Sequence, residues 1–264
     1  MTIKSVLKNF IKLTGYEIVN KKAGLVLTTQ DSFSQKTMGR SLMHLRSLNY
    51  AADVIVDVGA GSGTEPLLTA FPQAEFILVE PLIEFLPGLE QLKEKFNIRK
   101  IIIAAAGTIA MDITLNVHPD LYGSSLLNEN EGPYADGTPR IISMMKLKDE
   151  IIHLNPAKHN ILKVDVQGSE LDVLQSAEDL LNVFDVIILE VSFFNFLKNA
   201  PDFASVIKYM DDKNYVVYDM FDFHTRPLDN ALAQADILFV KRDGQFRTTH
   251  NYADAETRKK LNLL

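Results

Sequence analysis

Carboxylates and glycines placed at the ends of apolar runs carry most of the chemistry open to this chain. The run Val54-Ile-Val-Asp-Val-Gly-Ala-Gly-Ser-Gly63 passes from β-branched residues into glycines at alternating positions, around Ala60. The next run, Phe76-Ile-Leu-Val-Glu80, ends in an acid followed by Pro81. A third, Ile161-Leu-Lys-Val-Asp-Val-Gln-Gly-Ser-Glu170, places Asp165 at its end and Glu170 beyond a glycine. A fourth, Asp185-Val-Ile-Ile-Leu-Glu-Val191, carries Glu190. Such runs read as buried parallel strands. Glycine lets a chain turn tightly and bring its amides close to a ligand. An acid closing the second strand is placed to bind two ribose hydroxyls, which points to a nucleoside-containing cofactor.

Two details bear on which cofactor. Asp57 lies inside the first strand, two residues before Gly59, and the glycines fall at 59, 61 and 63. Dinucleotide sites use a longer Gly-x-Gly-x-x-Gly, which leaves room for a pyrophosphate at a helix start. S-adenosylmethionine (SAM) carries no phosphate. Its ammonium and sulfonium are both positive, so a carboxylate near the turn suits it better than it suits NAD. The competing role for Asp57 is to tie down the turn by hydrogen bonding. For Glu170 the competing role is favourable interaction with a helix dipole. Asp165, within an apolar strand, needs a partner in either case.

These residues need a scaffold. Strands are expected over 54–58, 76–80, 101–106, 160–166, 185–191, 215–219 and 236–240, with helices over 36–49, 64–71, 83–95, 169–182 and 201–213. Alternating strands and helices imply an α/β fold, a mostly parallel sheet covered on both faces. The polar stretch between the last two strands implies an antiparallel final strand. Ser169 with Asp172 reads as a capping box, and Pro201 with Asp202 as a helix start. Residues 3–13 place Ile3, Val6, Leu7, Phe10 and Ile11 on one helical face. A packed helix is expected there, with a dimer or lipid-surface contact as the alternative. The expected layout is an N-terminal helical extension (1–49), a cofactor-binding domain (50–245) and a C-terminal tail (246–264). Between 107 and 148 the alternation breaks. The runs Ile113–Val117 and Arg140–Ser143 flank a stretch rich in Gly, Pro, Asn and Asp, which reads as a lid or substrate loop over 108–148.

Ligands of open α/β sheets bind beyond the carboxyl ends of strands. By that rule Gly59 to Gly63, Glu80, Asp165 to Glu170, Glu190 and His224 face one cleft. His153 and His159 precede a strand and fall at the opposite edge. The net charge of -7 argues against general nucleic-acid binding, which needs clustered Lys and Arg. The absence of cysteine removes disulfides, thiolate metal sites and a Cys nucleophile. No apolar run reaches the length of a membrane span, and the first residues lack the pattern of a signal peptide, so a cytoplasmic protein is expected. No metal-ligand spacing stands out.

Taken together, the chain resembles the FkbM-type family of SAM-dependent methyltransferases. The resemblance rests on Val56-Asp-Val-Gly-Ala-Gly-Ser-Gly63, Glu80-Pro81, Ala104-Ala-Ala-Gly107 and Gly123-Ser-Ser-Leu126. It continues through Leu162-Lys-Val-Asp-Val-Gln-Gly-Ser-Glu170, Ile188-Leu-Glu-Val191 and Asp236-Ile-Leu-Phe-Val240. It implies a Rossmann-like, seven-stranded class I methyltransferase fold and methyl transfer to a hydroxyl, often of a sugar or natural product. By the same resemblance Asp57, Gly59 and Gly61 hold the methionine end of SAM, and Glu80 holds the ribose. Asp165 lies near the methyl donor. Backbone at Ala105 and Ala106 meets the adenine, and Ser124 and Ser125 close over the cofactor.

An alcohol acceptor must lose a proton, which asks for a general base. The candidates are Asp165 first, then Glu190 or Glu170, then His224. Tyr122, Tyr134, Arg140 and the run Phe193-Phe-Asn-Phe196 are expected to shape the acceptor pocket, although those aromatics suit a core or a homodimer contact equally well. The rival readings are an NAD(P)-dependent oxidoreductase and a non-catalytic methyltransferase-like scaffold.

Overall fold

The structure is a computed structural model that describes residues 16–21, 24–29 and 36–262. The chain divides into two units, Met1–Thr37 and Met38–Leu264. In the first, strands β1 (Tyr16–Lys21) and β2 (Gly24–Thr29) form an antiparallel hairpin. Residues 16–21 and 24–29 are therefore strand, not helix. Ile18, Val19, Val26, Thr28 and Thr29 are β-branched and favour strands, and Gly24 suits the turn. The helix expected over 3–13 lies outside the described residues.

The second unit opens with α1 (Met38–Ser47). It continues through β3 (Val54–Val58), α2 (Glu65–Ala70), β4 (Glu75–Val79), α3 (Leu86–Leu92) and β5 (Asn97–Ile102). An insert contributes β6 (Ala105–Ala106), β7 (Met111–Val117) and β8 (Thr138–Met145). The chain returns through α4 (Leu147–Ile151), β9 (Asn160–Val164), α5 (Glu170–Ser176) and β10 (Val186–Ser192). It closes with α6 (Phe203–Asp212), β11 (Tyr215–Thr225), β12 (Leu232–Lys241) and α7 (Ala255–Lys260).

The main sheet has seven strands in the order β11-β12-β10-β9-β3-β4-β5. Neighbours run parallel except at β12, which is antiparallel to both β10 and β11. This is the Rossmann-like class I methyltransferase arrangement with a reversed final strand. Because β3 pairs with β4 on one side and β9 on the other, the strand order reverses there. A crevice opens beyond the carboxyl ends of β3 and β9, where α/β sheets place ligands. The reversed strand also sends the turn 226–231 between β11 and β12 to that same end.

Two apolar layers hold the sheet. Val56, Val58, Leu162, Val164, Ile187 and Leu189 pack on one face against Leu174, Val206 and Met210. Ile55, Ile161 and Ile188 pack on the other against Leu42, Leu45 and Leu67. Burying each such side chain contributes roughly 1.5–3 kcal/mol. On the second face the apolar columns give way to charge at the strand ends, where Asp57 stands opposite Lys163 and Glu190 opposite Asp236.

The apolar run 101–106 does not form one strand. β5 starts earlier, as an exposed edge strand carrying Arg99 and Lys100, and Ala105–Ala106 joins a separate three-stranded sheet in the order β6-β8-β7. The expected lid loop thus contains two ordered strands, β7 and β8. Its small core contains Leu115, Val117, Ile142 and Met144, with Leu82 packed in. The connection 118–137 lies outside the three strands of the insert.

Candidate active site

A cavity of about 480 Å³ lies in the crevice, within the usual range for small-molecule sites. Its walls include Gly59, Gly61, Glu80, Pro81, Ala105, Ala106, Ser124, Asp165, Glu190 and His224. The turn after β3 forms the floor, and its glycines are required by contact. A Cβ on Gly59 would fall 1.8 Å from the Asp165 carbonyl oxygen, and φ there is +74°. Two strand-end loops thus touch backbone to backbone. Gly61, at φ +52°, donates its N–H to Glu80 Oε2 at 2.8 Å, and Leu82 N–H donates to Oε1 at 2.9 Å. Burial pushes the Glu80 carboxyl above its ordinary range, opposed by those backbone N–H groups. A carboxylate oxygen can accept more than one bond, so Glu80 keeps capacity for ribose hydroxyls.

Asp57 does not line the cavity. It is buried beneath the turn, accepts from Thr64 N–H at 3.3 Å, and lies 3.5 Å from Lys163 Nζ. Its carboxylate ties down the glycine turn from behind. Gly63, at φ +98°, turns toward Leu92, and Ala60 is buried; neither is among the lining residues.

Lys163 was not singled out from sequence, although a lysine inside an apolar strand was a visible signal. Its ammonium is buried, donates to the Gly59 carbonyl at 3.1 Å and lies 3.3 Å from Asp165 Oδ2. Burial alone would favour the neutral amine, but Asp165, Asp57 and Asp236 overcome it and hold the group charged. No Lys or Arg lines the cavity among the described residues.

Beyond Asp165 the chain turns through Gln167 (φ +54°) and Gly168 (φ +95°). Glu170 sits behind this turn, accepting from Gly168 N–H at 2.9 Å and Val166 N–H at 3.3 Å. Burial raises its carboxyl to about 7. It is absent from the cavity wall, so as a candidate base it is misplaced. The expected Ser169 capping box does not form, since Ser169 makes no side-chain cap. Asp202, by contrast, caps α6 through Ser205 N–H at 2.8 Å.

Glu190 does face the cavity. Gln167 Nε2 and Gln234 Nε2 both donate to its Oε2, at 2.9 and 3.0 Å. Burial, then Asp165, Glu170 and Asp236, push its carboxyl well above the ordinary value, against Lys163. Asp236, which sequence reasoning quoted only as part of a motif, is raised to about 7 by burial and then Asp165.

The connection 118–126 forms a strap over this cavity. Tyr122 reaches the glycine turn, its hydroxyl 3.2 Å from Ser62 Oγ, and its ring packs on Phe85. Ser125 is buried and lies outside the cavity wall. Its Oγ donates to the Gln167 carbonyl at 2.7 Å.

A second cavity, of about 880 Å³, adjoins the first, and Gln167 and His224 line both. Its other walls include His118, Glu129, Asn195, Phe196, Arg226 and Gln234. The His118 ring is 2.8 Å from Asp120. Arg226 is held by a bidentate pair with Asp229 and lies over the Phe194 ring. Of the residues expected at the acceptor pocket, Asn195 and Phe196 line this second cavity. Tyr122 lies on the first cavity. Phe193 stacks on Phe203, Tyr134 lies on a separate surface depression, and Arg140 pairs with Glu84 on the insert. His159 pairs with Asp185, at the opposite end of the sheet.

The first cavity suits SAM. Small apolar walls at Ala105 and Ala106, an acid at the end of β4 and the absence of facing cations favour a positively charged nucleoside ligand over a pyrophosphate. The fold and this site define a SAM-dependent methyltransferase. The Methyltransferase FkbM domain model matches residues 57–217, and the chain belongs to that family. No curated protein matches the chain significantly. Among solved structures it is similar to magnesium protoporphyrin IX methyltransferase from Synechocystis, solved with bound SAM. That likeness has 12% identity and a TM-score of 0.45 over 91% of this chain and 98% of that one. It is also similar to a SAM-dependent methyltransferase from Clostridium acetobutylicum, at 10% identity and a TM-score of 0.43 over 80% and 93% of the two chains. A precorrin-6y methyltransferase from Geobacter metallireducens shows 13% identity and a TM-score of 0.41 over 85% and 95%. Among the described residues, no helix is long and apolar enough to cross a membrane, and no acid or histidine cluster could hold a metal.

Proposed function

We propose that this methyltransferase acts on a hydroxyl oxygen of a small polar acceptor, a sugar or natural-product-like molecule, seated in the second cavity. The observation that carries this reading is the shared wall: the two cavities meet at Gln167 and His224, beside Asp165 and Glu190. The net charge of -7 disfavours a nucleic-acid acceptor.

When bound, SAM supplies an electrophilic methyl group. Glu80 would hold its ribose, with the backbone around Gly59, Gly61, Ala105 and Ala106 shaping the rest of the site. The protein's remaining tasks are to align the acceptor and take its proton. Glu190 is the best-placed base. The Gln167 and Gln234 amides both engage Oε2, its raised proton affinity suits proton uptake, and it lines the cofactor cavity next to the junction. Asp165 is engaged on both oxygens, by Gln167 and Lys163.

Calorimetric titration with SAM, and with NADH as control, is the first test. Saturable SAM binding, weakened at least about tenfold in Glu80→Ala, is expected, since a hydrogen bond to a charged group contributes about 1.5–3 kcal/mol. Transfer of labelled methyl to a panel of neutral sugars and hydroxylated natural products follows. Glu190→Gln should keep SAM affinity and lose turnover by about a hundredfold. SAM binding with no transfer to any acceptor would favour a non-catalytic scaffold, and binding of NADH alone would sink the reading.

A further inference from the structure

Gln167 is in a backbone conformation that its side chain does not favour. Its φ of +54° lies in the left-handed region that a residue with a Cβ disfavours. Glycine or asparagine would meet the turn's need more cheaply. What Gln167 adds is its side chain. Nε2 donates to Asp165 Oδ1 at 3.0 Å and to Glu190 Oε2 at 2.9 Å, which uses both amide hydrogens. An amide oxygen in that place would face two acceptors, so the neighbours settle its orientation. Its carbonyl meanwhile accepts the Ser125 hydroxyl from the strap at 2.7 Å. One residue thus touches both carboxylates, the strap and both cavities.

We propose that Gln167 is a positioning residue: its amide holds the Glu190 and Asp165 carboxyl groups together, and its carbonyl ties that arrangement to the seating of the strap through Ser125. The proposal rests on the reading of Glu190 as the base. The charged groups around Glu190 are Asp165 and Lys163 from β9 and its end, Glu170 from α5 and Asp236 from β12. His224, from β11, lines the same cavity. Three carboxylates therefore oppose its ionisation and one ammonium favours it. The Gln167 and Gln234 amides add the neutral donors. A donor to an ionised carboxylate lowers its proton affinity, so removing the Gln167 amide must raise the proton affinity of Glu190.

The test needs no acceptor. In full-length protein, infrared spectra over a pH series report protonated carboxyls, and the Glu190 band is assigned by its loss in Glu190→Gln. In Gln167→Gly, which relieves the left-handed backbone, the Glu190 midpoint should rise by about one pH unit while Tm is unchanged or higher. Ser125→Ala should shift it in the same direction by less. A midpoint in Gln167→Gly that stays within about 0.3 pH units of the parent overturns the proposal, whatever happens to Tm. Should that variant fail to fold, Gln167→Asn tolerates the backbone with an amide one methylene shorter, and the same criterion applies to it. Glu190→Gln that retains turnover would defeat the base assignment alone, because the titration is read without turnover.

Discussion

The two adjoining cavities are walled in different ways. The cofactor cavity is built where strands end and the chain turns, so much of its shape is backbone: Gly59 against the Asp165 carbonyl, Gly61 on Glu80, and the short strand at Ala105–Ala106. The second cavity is lined largely by side chains from the strap, the end of β10 and the β11–β12 turn. Backbone walls tolerate few substitutions. Side-chain walls can be rebuilt one residue at a time without disturbing the sheet. The cofactor therefore sits against the part of the molecule that is hard to change, and an acceptor seated in the second cavity would be read by the part that is easy to change.

The largest effect should come from beneath the first cavity. Lys163→Met would leave Asp57 and Asp165 without their shared cation in a buried setting. Breaking a buried pair by removing one partner costs about 3–5 kcal/mol, read by chemical denaturation. A loss below about 1 kcal/mol would show that the ammonium is not what holds the two strand-end loops together.

A smaller effect concerns Glu170, behind the wall. Its carboxyl is raised from an ordinary 4.5 to about 7, so folding favours its protonated form. That contribution is complete below 4.5 and is lost as pH rises through about 7. Stability of the parent should thus fall over this window by roughly 1–3 kcal/mol relative to Glu170→Gln. Parallel stability curves for the two proteins would mean that Glu170 is not buried as described.

The smallest effect on the fold should come from the second cavity. Leu228 lines its mouth and is 82% exposed. Leu228→Ala should change stability by less than about 0.5 kcal/mol and leave SAM affinity unchanged, while raising the acceptor KM severalfold. A changed SAM affinity would show that the cavities are not separable.

The same contrast explains what could be read from sequence. The strands at 54–58 and 160–164 and the turns after them announce themselves, because glycine with positive φ and an acid after an apolar run are local demands. Glu80, Asp165 and Glu190 all reach the cavity wall. Asp57, inside its strand, and Glu170, beyond Gly168, lie close to strand ends by sequence, yet they face the back of their turns, and only three-dimensional packing separates the two groups. The insert was harder to read. Its strand β8 mixes Pro, Arg and Ser with exposed Ile141, so no clean alternation marks it. The second cavity gathers residues more than a hundred positions apart, from His118 to Gln234, and no local pattern encodes such a lining. Lys163 was legible in principle: a cation inside an apolar strand needs carboxylates nearby, and Asp57 and Asp165 were already in view.

The reversed strand β12 has a consequence for how this enzyme could diversify. A seventh parallel strand would have required a crossover returning its chain over a sheet face. The reversal replaces that crossover with the short exposed turn 226–231, at the rim where the acceptor is expected to enter. Insertions or deletions there would redraw the entrance while the glycine turn and its acid stay as they are. One antiparallel strand thus gives the fold an adjustable doorway on an otherwise fixed frame.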